Sequence, residues 1–211
     1  MAAGTGARYD AVMFDLLTAL LDSWTLWNAV AGSPAVGQRW RARYLELTYG
    51  CGPYRPYETL VREAAADAGL PSAFAAQLAA RWDELQPWPE VAGVLGELSA
   101  RVPLAVATNC SIPLGRRAAH RVGVPFGAIV TAESAGFYKP RVEVYRAALA
   151  ALGTAPQRTL FVAGSASDVP GATAAGMPVY WHNRIGLPAR DGAAPLYHER
   201  SLAPLTRGVL G

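Results

Sequence analysis

Short apolar runs alternate with segments of helical period along most of the 211 residues. Tyr9 to Phe14 is an apolar run that ends at Asp15, which predicts a buried strand carrying an acid at its carboxyl end. Segments 34–50, 57–69 and 71–85 carry Ala, Leu, Arg and Glu at helical spacing. The turn-rich stretch YGCGPYRP separates the first two, and Pro87 and Pro89 around Trp88 predict a boundary. Beyond it the pattern switches period repeatedly. Helices are predicted over 90–100, 112–122, 141–152 and 168–176, and strands over Val102 to Ala107, Ala128 to Val130, Thr159 to Val162 and Val179 to Trp181. The tail from Gly186 is rich in Pro and Gly and weakly patterned, and no internal repeat is visible.

Strands that alternate with helices predict an α/β fold, a parallel sheet with helices on both faces. The helical block interrupts that alternation after the first strand. Residues 1–19 and 87–211 are therefore expected to form the α/β core, and 20–86 an inserted helical cap. A chain of this size buries roughly 70% of its unfolded surface and needs no disulfide or structural metal to fold.

Composition narrows the function classes. Apolar residues make up 52% and charged residues 17%, which excludes a disordered chain. No apolar stretch reaches the ~20 residues of a membrane span. The opening MAAGTGARYD has no apolar signal-peptide region, so a cytoplasmic setting with no membrane partner is the expectation. The net charge of +3 comes without a basic run, so no nucleic-acid partner is expected. Cys51 and Cys110 match no zinc or disulfide pattern, and His120, His182 and His198 have no metal-ligand spacing. One count stands out: of 19 basic residues, Lys139 is the single Lys. A compact point charge with a tunable pKa is something Arg cannot replace, so Lys139 is a candidate for chemistry.

In an open parallel sheet, ligands sit beyond the carboxyl ends of the strands. Asp15, Thr108 with Asn109, and the loop ending at Asp168 all fall at such ends, and Lys139 lies in a loop between the last two. Singly, each is readable as a cap or turn residue; Asp168 alone would make a good helix N-cap. Together they predict one site.

The stretches FDLLTALLDS, AVATNCS, FYKP and FVAGSASDVPGATAAGM resemble, in order and spacing, the motifs of the haloacid dehalogenase superfamily. The resemblance runs to about residue 183 and implies a Rossmann-like core. It implies that Asp15 is a nucleophile, since a carboxylate that forms an ester or acyl phosphate splits one hard step into two. It gives Thr108 and Asn109 hydrogen bonds to substrate or nucleophile. Lys139 holds Asp15 ionised, and Asp168 orients Lys139 or prepares a water.

Departures from the motifs choose between reactions. The superfamily's phosphatases carry a second Asp two residues after the nucleophile and an acid four residues before the position of Asp168. Leu17 and Gly164 stand there. Leu17 cannot protonate a leaving alkoxide, and Gly164 offers magnesium no carboxylate. Halide leaves as a stable anion and needs neither. That points to the L-2-haloacid dehalogenase branch, which uses no metal. QRWRARYLELT is similar to that branch's cap segment and places Arg41 where an Arg holds the leaving halide. KPRVEVY places Tyr145 six residues after Lys139, as in that branch. Other positions depart from it: Ala19 lacks an expected hydroxyl, which Thr18 offers from next door, Ala163 replaces a Ser, and Ser165 replaces a water-positioning Asn.

The substrate-binding set is therefore expected to be Thr108, Asn109, Tyr145, Leu17, Thr18, Ser165 and Trp40. Trp24, Trp27, Trp40 and Tyr44 are expected either to line an apolar pocket or to pack cap on core. The expectation is hydrolysis of a small 2-halocarboxylate without cofactor or metal. The alternatives are a magnesium-dependent phosphatase with a degenerate site and a silent binding protein that keeps the fold. A homodimer accompanies the resemblance as an expectation.

Overall fold

The computed structural model describes residues 7–190 and 194–210. In chain order the elements are β1 (Ala11–Phe14), α1 (Ser23–Ala31), α2 (Pro34–Gly50), α3 (Tyr57–Asp67), α4 (Ala73–Ala80), α5 (Val91–Ser99), β2 (Leu104–Thr108), α6 (Ile112–Arg121), β3 (Ala128–Thr131), α7 (Ala132–Ala135), α8 (Val142–Leu152), β4 (Thr159–Ala163), α9 (Asp168–Ala174), β5 (Val179–His182), β6 (Tyr197–Glu199) and α10 (Leu205–Leu210). The six strands form one parallel sheet in the order β3-β2-β1-β4-β5-β6. Chain direction across the sheet switches at β1, between β2 and β4, where a doubly wound sheet opens a crevice for ligand.

The strands are short apolar runs because both faces are covered. Val12 and Phe14 of β1 and Leu160 and Val162 of β4 point into one apolar cluster. Met13, Phe161 and Ala163 point into the other, against Val144, Tyr145 and Val169. The parallel α/β class therefore stands as read from the sequence.

Helices α1 to α4 lie between β1 and α5. Asp22 caps α1 by accepting from Thr25 N at 3.1 Å. Ser33 caps α2 in the same way, with Pro34 in the first turn. Gly37 lets the two helices touch, because a Cβ there would overlap the Asn28 backbone. An aromatic chain fills their interior: Trp27 on Trp40 at 4.6 Å, Tyr44 on Tyr57 at 5.4 Å, and Tyr57 on Trp82 at 6.0 Å between ring centroids. The two passages to the sheet run side by side. Leu21 bridges Pro87, Asp22 N donates to Gln86 O at 2.8 Å, and Trp88 N donates to Leu20 O at 3.0 Å.

Three sequence expectations change. The helix expected over 71–85 is α4 followed by a separate 3₁₀ turn at Trp82–Glu84. The first strand starts at Ala11 rather than Tyr9, since Asp10 is paired at the surface with Arg158 at 2.7 Å. The weakly patterned tail supplies β6 and α10. Among the described residues, no helix is long and apolar enough to cross a membrane.

Candidate active site

Asp15 follows β1 at the switch point, with its backbone N–H donating to Val162 O at 2.9 Å. The chain then turns back on it. Thr18 N and Ala19 N donate to Asp15 Oδ2 at 2.9 and 3.1 Å, and the Thr18 hydroxyl donates to the same oxygen. The hydroxyl missing at Ala19 is thus supplied from Thr18. Among the described residues Oδ1 accepts only from Lys139 Nζ, at 2.7 Å, which leaves it capacity at the cavity that Asp15 lines. Three backbone carbonyls of this turn are held in place: Leu17 O by Ser23 Oγ, Thr18 O by Trp88 Nε1 at 3.1 Å, and Ala19 O against His182 Nδ1 at 2.9 Å.

Lys139 Nζ also donates to Asp168 Oδ2 at 3.0 Å, and Tyr145 OH donates to Asp168 Oδ1 at 3.1 Å. All four side chains are buried. Burial pushes the Asp15 carboxyl up, but the Lys139 charge and the Lys139 and Thr18 hydrogen bonds outweigh it. The carboxyl lies below its ordinary value. At Asp168 burial wins, with Asp15 adding to it, and that carboxyl is pushed up to about 6. Burial lowers Lys139, yet the two carboxylates raise it further, so it stays charged.

Asn109 fixes the loop that carries Lys139. Its amide donates to Lys139 O at 3.0 Å and accepts from Lys139 N at 2.7 Å. Tyr44 OH ties that same position to α2, donating to Asn109 O at 2.9 Å.

A cavity of about 240 Å³ opens above Asp15. Asp15, Leu17, Thr18, Asn109, Lys139, Ser165 and Asp168 form its floor, and α2 forms its roof with Arg41. Arg41 is buried under the Trp24 ring, Cζ 3.8 Å from its centroid, and donates to Ser23 Oγ at 2.8 Å. Among the described residues it makes no ion pair within 4.0 Å, so its charge faces the cavity uncompensated. Burial pulls Arg41 below its ordinary value, with Tyr57 and Asp15 opposing.

Three expected substrate contacts are corrected. Thr108 is fully buried, its hydroxyl 3.7 Å from Cys110 Sγ, and it does not reach the cavity. Tyr145 stands behind Asp168 and acts on it rather than on the cavity. Trp40 is buried among the helices with its indole N–H on Val61 O at 2.9 Å, because one residue along a helix turns a side chain away from the face that carries Arg41. Trp24 holds the aromatic position beside Arg41 instead. Sequence reasoning missed Gln38, Leu45, Tyr49, Leu187 and Arg190. The α2 members sit at helical spacing from Arg41, a signal readable in the sequence; the tail members carry none.

Magnesium does not suit this donor set. The Lys139 ammonium already stands between Asp15 and Asp168, and any side chain at 164 would overlap Ala19 N and the Thr18 hydroxyl.

Comparison with known proteins agrees with the fold. The family model for haloacid dehalogenase-like hydrolases matches residues 10–176. Haloacetate dehalogenase H-2 of Moraxella sp. (strain B) is 30% identical over 200 residues, covering 85% of this chain and 88% of that protein. Phosphoserine phosphatase of Thermus thermophilus is 32% identical over 182 residues, covering 80% and 72%. The L-2-haloacid dehalogenase of Xanthobacter autotrophicus, solved with chloropropionic acid covalently bound, superimposes with a TM-score of 0.84 at 24% identity, covering 94% of this chain and 97% of that one. With the matched model spanning most of its length and the four motifs converging on one crevice, the chain belongs to the haloacid dehalogenase-like hydrolases.

Proposed function

We propose that this protein hydrolyses small 2-halocarboxylates without a metal, by way of an ester on Asp15. The observation that carries this reading is a pair of opposed groups across one cavity: an ionised carboxylate with one oxygen open, and a buried Arg41 with no acidic partner within 4.0 Å among the described residues. A buried cation without a counter-charge is costly and is compensated when an anion arrives. Residues 20–86 serve as the cap that brings this cation over the nucleophile.

Asp15 Oδ1 displaces halide from the α carbon of the substrate. Arg41 receives the departing anion, and the loop at Asn109 places the substrate carboxylate. Oδ2 becomes the carbonyl oxygen of the ester. The Thr18 and Ala19 N–H groups that already grip it then stabilise the oxyanion formed when water attacks. The product is a 2-hydroxy acid of inverted configuration. Leu17 has no proton for an alkoxide, which separates this site from a phosphatase's.

The test is halide release from L-2-chloropropionate in EDTA, with Asp15→Asn beside the wild type and p-nitrophenyl phosphate with magnesium as a control. Release that survives EDTA and vanishes in Asp15→Asn is the expected result. Phosphate release that needs magnesium, with no halide released, overturns the reading.

A further inference from the structure

An ester on Asp15 needs a water held against its carbonyl carbon, and a bound water needs two to four polar partners. Most polar side chains around the cavity are committed elsewhere. The Thr18 hydroxyl is on Asp15, both ends of the Asn109 amide are on the Lys139 backbone, Arg41 is on Ser23, and Lys139 is shared by two carboxylates. Three hydroxyls remain beside Asp168: Ser165, Ser167 and Tyr49.

Each of the three has capacity left. Ser165 Oγ accepts from Ser167 N at 3.3 Å and keeps its proton to donate. Ser167 occupies the N-cap position of α9, yet its hydroxyl makes no capping bond. Tyr49 lies two turns beyond Arg41 on the same face of α2, and the Arg190 guanidinium sits 5.3 Å from its ring centroid. Burial pushes its phenol up, so at neutral pH Tyr49 keeps a proton to donate.

We propose that Tyr49, with Ser165 and Ser167, holds the water that cleaves the Asp15 ester, making Tyr49 a catalytic residue of the second half-reaction contributed by α2. The assignment rests on the ester chemistry proposed above. The water oxygen bonds to Cγ of Asp15 while Asp168 takes one of its protons. The Cγ–Oδ1 bond then breaks. Oδ1 leaves as the hydroxyl oxygen of the 2-hydroxy acid with the second proton, and the proton on Asp168 passes to solvent. Asp15 is regenerated carrying the oxygen of the water. Arg41 and the three hydroxyls line the same cavity, so the two half-reactions use different groups of one site.

The test separates the two steps. Wild type, Tyr49→Phe and Ser165→Ala are mixed with excess L-2-chloropropionate, and halide is followed through the first turnover and into steady state. The quenched protein is weighed intact. In Tyr49→Phe the first-turnover halide burst is expected within about twofold of wild type. Steady-state turnover falls about 10²-fold, the effect of losing one positioned donor. The protein gains the mass of the substrate less its halide, and Ser165→Ala moves the same way. The intact burst also reports that the variant is folded. If burst and steady state fall together with no mass gain, or if neither changes, the assignment is overturned while the proposed function stands. A wild type that releases no halide overturns both.

Discussion

Lys139→Met removes a charge while keeping the length of the side chain, so it isolates what the ammonium does. At 2.7 Å from Asp15 and 3.0 Å from Asp168, Nζ neutralises two buried carboxylates at once. At an effective dielectric of ~20, one such contact carries about 6 kcal/mol of attraction before desolvation is subtracted. Removing one partner of a buried pair costs about 3–5 kcal/mol, because a buried charge is left without its counter-charge. For a chain of this length that is a fall in Tm of about 6–20 °C. The pH dependence is the sharper part. In the wild type the Asp15 carboxyl lies below its ordinary value, so it contributes stability above that value and loses it as pH falls through the folded one. In Lys139→Met burial is opposed only by the Thr18 and Tyr145 hydrogen bonds, and both acids rise. Stability then declines as pH rises through their new values. The deficit relative to wild type is therefore expected to be large at pH 8 and smaller at pH 5, where the stranded carboxyls can protonate. Thermal unfolding followed by circular dichroism at the two pH values measures it. A Tm within about 2 °C of wild type at pH 8, or the same deficit at both, would refute the account of Lys139 as the counter-charge of this site.

Two further outcomes follow from the site. Asp168 must be ionised to take a proton from water, and burial pushes it up to about 6. Steady-state turnover should accordingly fall as pH drops below about 6, and the ordinary carboxylate range at the acid limb of the profile would contradict that role. Gly164→Asp should cost about 1–3 kcal/mol of stability or more by denaturant unfolding, since its side chain collides with the Thr18–Ala19 turn. It should gain no magnesium-dependent phosphatase activity, and such a gain would show that the turn can move aside.

The sequence located the charged centre well, for a physical reason. Asp15, Lys139 and Asp168 are polar residues at the ends of apolar strands or in the loops between them, and a parallel sheet gathers those ends at one edge. The scarcity of Lys marked Lys139 independently. The side-chain directions next to these landmarks were not readable. Thr108 is the last residue of β2 and its side chain goes into the interior, while Asn109, one residue on, lines the cavity. Trp40 and Arg41 are neighbours on α2 with opposite fates. Tyr49 was within reach of a stricter helical reading, since Arg41, Leu45 and Tyr49 recur at four-residue steps. Leu187 and Arg190 were not, because the segment after β5 has no period, and β6 is three residues with no apolar run.

The bridge between Leu21 and Pro87 has an evolutionary corollary. Everything from Asp22 to Gln86 leaves the sheet and returns to it at one seam, closed by hydrogen bonds of 2.8 and 3.0 Å. An excursion whose two ends are already neighbours can be replaced by another of different length with little change to the scaffold beneath, because loop-closure entropy grows only with the logarithm of length. Exchange at that seam would alter which molecule is admitted while Asp15 and Lys139 stay where they are. Diversification of substrate in such a molecule is thus separable, at the level of the chain path, from the charged centre held at the strand ends.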